Sequence, residues 1–148
     1  MKKLFEKLSS FVKSILGNIF DEFKKHSEAA VKVTGNIKKL VESPIADVVV
    51  TVIPGDIDNA IVEKLRKVLP EVTQKVAILH GILKENDTNS DIIASVIENL
   101  KQMNPDARVT FWVLFSGELN KALSDGKLDL AEAFVLSQMA YIELKKNK

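Results

Sequence analysis

The chain has 148 residues, 46% of them hydrophobic, and its 21 lysines and arginines against 20 acids leave a net charge of +1. That is enough apolar material for one globular domain with a core of its own. With no cysteine and only His26 and His80, a disulfide scaffold, a cysteine-ligated metal centre and a thiol nucleophile are excluded, and the near-neutral charge argues against a surface built throughout for nucleic acid.

Charge is nonetheless unevenly placed. Residues 1–40 hold nine lysines and four acids, an excess of five positive charges, whereas the remaining 12 cations and 16 acids leave residues 41–148 at −4. Such a split predicts either that the two parts attract one another or that the first meets an acidic partner. Residues 1–41 therefore read as a basic amphipathic segment and 42–148 as a helical body, the two forming one cooperative domain.

In the basic segment, Leu4, Phe5, Leu8, Phe11, Val12, Ile15, Leu16, Ile19, Phe20 and Phe23 follow one another at steps of one and three, which keeps them on one face of an α-helix. The pattern continues more weakly through Ala30, Val33, Ile37, Leu40 and Val41, with Gly17 and Gly35 as points where the helix can bend. Its mean step lies near 3.6 and not near 3.5, so the stripe reads as a face laid on a core or an interface more than as a coiled-coil seam. Glu22 and His26, at would-be seam positions, agree.

Ser43-Pro44 predicts a helix start, because serine can accept from a free backbone N–H and proline loses nothing in a first turn. Val48-Val49-Val50-Thr51-Val52-Ile53 also has strand propensity; the local start signal favours helix. Pro54-Gly55-Asp56 ends that element and lets Asp56 cap the next, with Ile57, Ile61, Leu65 and Val68 on one face. Pro70 then opens a further helix carrying Val72, Val76, Leu79 and Ile82. After the loop Asn86–Ser90, Ser90 or Asp91 caps a helix with Ile92, Ile93, Val96, Ile97 and Leu100.

Asn104-Pro105-Asp106 restarts the chain. Val109–Phe115 again competes as a strand, but Phe111, Leu114, Phe115, Leu119 and Leu123 form a helical stripe that runs past Gly117, and helix is preferred. Asp125-Gly126-Lys127 is a tight turn, and Asp129 with Glu132 makes a capping-box start for a last helix with Ala133, Leu136, Ala140 and Leu144 inward. The expected fold is all-α, a compact array of about seven or eight short helices with a long amphipathic helix at the N-terminus.

Catalytic and cofactor chemistry find no footing. The densest apolar run is cut by Pro54 and Gly55, far short of the roughly 20 residues a membrane-spanning helix needs, and polar residues interrupt any signal-peptide centre after Lys2 and Lys3. Asp125 to Glu132 has the back half of a calcium loop, but Lys121 and Leu123 occupy the places where oxygen ligands are required. Gly126 therefore reads as the left-handed residue of a turn and Asp129 as a cap. Asp56, Asp58 and Glu63 cluster at a helix start, where the helix dipole favours acids. His80-Gly81 reads as a helix end, and His26 lies on the margin of the N-terminal stripe. There is no glycine-rich phosphate loop, serine elbow or zinc-protease signature. No cofactor, metal or small-molecule substrate is implied. Arg66 and Arg108 are the only arginines and no aromatic–basic stacking platform accompanies the lysines, so nucleic acid is disfavoured as a partner.

Magnitudes single out the N-terminal stripe. Burying a large apolar side chain is worth roughly 1.5–3 kcal/mol, so ten left in water forgo on the order of 20 kcal/mol, more than a domain's usual net stability of about 5–15 kcal/mol. Three covers compete: the rest of the same chain, a protein partner or second copy, and a membrane surface. Lysines beside Phe5, Phe11 and Phe23 suit anionic lipid, and Glu6, Asp21 and Glu22 oppose it.

Ser43-Pro44-Ile45-Ala46-Asp47, the run Ile53-Pro54-Gly55-Asp56-Ile57-Asp58, Lys64-Leu65-Arg66 with Leu69-Pro70, and Leu123-Ser124-Asp125-Gly126-Lys127-Leu128 with Glu132-Ala133 form a longer pattern. Together with the lysine- and phenylalanine-rich N-terminus, it resembles small helical proteins of tailed phages infecting Bacteroidota, the crAss-like group among them. The resemblance spans nearly the whole chain and implies a phage origin and a helical protein without assigned catalysis. It brings no functional residues. The expectation is a non-enzymatic structural or virion-associated protein that acts by protein association through Leu4–Phe23, located in the virion or host cytoplasm. A peripheral membrane protein of the host inner membrane and a small host-defence inhibitor are the alternatives.

Overall fold

The computed structural model describes residues 20–42, 52–82, 92–125 and 127–146. These form five helices: α1 (Phe20–Glu42), α2 (Asn59–Leu79), α3 (Ile92–Lys101), α4 (Pro105–Leu123) and α5 (Leu130–Lys146). No strand occurs among the described residues, in keeping with the all-α expectation; these residues hold five helices against the seven or eight expected of the whole chain, and the helices are longer than expected.

One reason is Pro70, which lies inside α2 and does not open a new helix. An interior proline removes one backbone hydrogen bond and crowds the preceding turn. Here it is exposed, on the side away from Ile61, Leu65, Leu69, Val72 and Val76, whose shared burial carries the helix through the proline's turn. Thr73 Oγ1 adds a 2.6 Å bond to the Leu69 carbonyl. The helix expected after Ser43-Pro44 falls outside the described residues except for Val52 and Ile53, and neither of these is helical. Val52 is instead a buried loop residue whose carbonyl accepts from Asn36 Nδ2 at 2.9 Å.

Caps fix the other helix ends. Asp58 caps α2 by accepting from the Ala60 N–H at 2.8 Å, which corrects the assignment of that role to Asp56. Asp56 pairs with Lys32 of α1 at 2.9 Å. Two residues decide the difference, because a capping oxygen reaches only the second or third N–H beyond its own residue. At the far end of α2, Gly81 adopts φ +71°; its N–H donates to Ile78 O and that of Ile82 to Ala77 O, the paired bonds of a Schellman cap. Asn104 and Pro105 start α4 as expected, with Asn104 Oδ1 accepting from the Asp106 N–H at 2.8 Å. The capping box at α5 is reciprocal: Asp129 Oδ1 accepts from the Glu132 N–H and Glu132 Oε1 from the Asp129 N–H. In the preceding turn Asp125 is left-handed at φ +57°, while Gly126, to which that conformation was assigned, lies outside the described residues.

Helix α4 is the centre of the fold, packing against α1, α2 and α5. Phe111, Phe115, Leu119 and Leu123 are fully buried along its inner side, and the rings of Phe111 and Phe115 stack at 5.7 Å. Val109–Phe115 is thus helix, as preferred over strand. Helix α2 runs antiparallel to α4: Lys64 meets the Leu123 carbonyl, Lys75 meets Glu118, and the His80 ring lies edge-on to Phe111 at 5.8 Å. Helix α1 contributes Ala29, Ala30, Val33, Ile37 and Val41 to the same core. The second half of the amphipathic segment is therefore covered by its own chain.

Candidate functional site

Of the ten residues assigned to the interaction stripe, Leu4, Phe5, Leu8, Phe11, Val12, Ile15, Leu16 and Ile19 lie outside the described residues, and Phe20 and Phe23 are placed by their backbone in the first turns of α1. What the structure shows besides is a set of exposed apolar side chains on α4 and α5, beyond the stretch where the two helices are joined. The docking of α5 begins with Gly117, against which the Phe134 ring lies so closely that a Cβ at 117 would stand 2.5 Å from Cε1. Beside it, the fully buried Asn120 uses Nδ2 to donate to Ser27 Oγ of α1 at 2.8 Å, and to the Ala133 carbonyl at 3.1 Å and Ser137 Oγ at 3.3 Å of α5. Ser137 Oγ donates onward to the Ser116 carbonyl at 3.4 Å.

These contacts hold α5 antiparallel to the C-terminal half of α4. One turn past the Ser116–Ser137 contact, cover is lost: Val113 is 51% exposed and Val109 56% on α4, and Tyr141 is 54% exposed on α5. Lys145 stands over the Tyr141 ring at 5.6 Å. Leu79, at the end of α2, is also largely exposed. Covering the exposed half of each such side chain is worth about 1 kcal/mol, so these side chains suit a contact that adds to another and not one that suffices alone.

A cleft of about 310 Å³ lies between α1 and the first turn of α2, lined by Lys25, His26, Asp58, Ala60, Ile61 and Lys64. His26 is only 5% exposed, deeper than the stripe-margin position expected for it. Two of the charges around the cleft, Asp58 and Lys64, are engaged within the fold. Lys64 donates to the Leu123 carbonyl at 3.0 Å, neutralising the C-terminal end of α4, and pairs with Asp125. The hydrogen bond from Lys64 holds the Asp125 carboxyl below its usual range, as that from Lys32 does for Asp56. The three acids after Pro54 therefore serve separate ends: Asp56 binds α1, Asp58 caps α2, and Glu63 pairs with Arg66 at 3.1 Å. Among the described residues no group of three His, Asp or Glu side chains is placed to hold a metal ion, and no helix is long and apolar enough to cross a membrane.

Sequence reasoning missed the Asn120 junction and the buried Glu118, which accepts from Lys75 at 2.9 Å. The signal was present, since Gly117-Glu118-Leu119-Asn120 interrupts an apolar helix with two polar residues at positions that cannot all face water. Comparison with known families, curated proteins and solved structures finds no significant match.

Proposed function

We propose that the protein acts by binding another protein, or a second copy of itself, and not by catalysis. The observation that carries this reading is the exposure of three large apolar side chains, Val109 and Val113 one turn apart on α4 and Tyr141 on α5, each more than half open on helices that otherwise supply the core. The lysine-edged sequence pattern from Leu4 to Phe23, helical in its spacing, supports the same reading. The phage resemblance makes a virion component the partner to test first. Light scattering of the full chain after gel filtration, with co-purification on phage particles, tests the proposal. Association that weakens in V109S/V113S supports it; a monomer absent from particles and indifferent to both substitutions overturns it.

A second reading, attachment to a membrane surface, is favoured by one feature, the placing of Lys2, Lys3, Lys7 and Lys13 around Phe5 and Phe11. Flotation with anionic vesicles separates the two readings. Salt-sensitive binding that disappears when residues 1–19 are removed, leaving α1 whole, selects lipid.

A further inference from the structure

We draw no further inference here: the strongest candidate, the cleft between α1 and the first turn of α2 lined by Lys25, His26, Asp58 and Lys64, joins a helix N-terminus to a lysine already paired with Asp125, and nothing in it points to a ligand.

Discussion

Replacing Gly117 with alanine opposes two effects of similar size. Alanine is favoured over glycine inside a helix by about 1 kcal/mol. The new Cβ, however, would lie 2.5, 2.6 and 3.0 Å from three atoms of the Phe134 ring, where ordinary contact begins at 3.4 Å, so the ring has to retreat by about 0.9 Å. Phe134 is stiff and sits on a helix held by the Asn120 junction, and overpacking of this kind costs about 1–3 kcal/mol. The expected net effect of G117A is a loss of about 0–2 kcal/mol. In an F134A background the clash is gone and the same substitution should stabilise by about 1 kcal/mol. Urea unfolding followed by helical circular dichroism on all four proteins gives the coupling directly, expected at about 1–3 kcal/mol. A gain of about 1 kcal/mol from G117A in both backgrounds would refute the close packing of α5 on α4.

Asn120→Ala leaves the Ser27 and Ser137 hydroxyls and the Ala133 carbonyl without their shared donor and should cost about 2–4 kcal/mol in urea unfolding; a loss under about 0.5 kcal/mol would mean the junction is not formed. Pro70→Ala should stabilise by about 2 kcal/mol, an interior proline costing about 3 and its stiffening of the unfolded chain returning about 1. No gain would return Pro70 to the start of a separate helix. Asp125, held below its usual value near 3.8, contributes stability that is present above that value and lost as pH falls through the lower folded one. The urea midpoint should therefore fall more steeply below about pH 4 in the native protein than in D125N, and the difference should shrink in salt. Identical acid limbs would show that the pair with Lys64 adds nothing.

Much of the helical body could be read from local chemistry. Asn104-Pro105, Asp129 with Glu132, and the Phe111–Leu123 stripe each rest on neighbours within a turn, and each stands in the structure as read. Pro70 misled because its local meaning, a helix start, was outweighed by the buried face on both sides of it. Asp56 and Asp58 are equally good caps on paper; the start of α2 at Asn59 puts only Asp58 within reach of a free N–H, and Lys32, 24 residues before Asp56, takes up the other carboxylate. The exposed side chains were hidden for a different reason. Apolar residues surround α4 on most sides, so periodicity could not say that α5 would cover Gly117 and Asn120 and leave Val109 and Val113 open. The assigned stripe itself is legible only as a pattern, since most of it lies outside the described residues.

The bond between Ser27 and Asn120 joins residues 93 positions apart, and Ser137 closes the same junction from the last helix. The beginning and the end of the described chain are thus sewn to one interior point, the buried amide of Asn120. A cut beyond Ser27, or one that removes Ser137, should cost the whole fold and not a single helix.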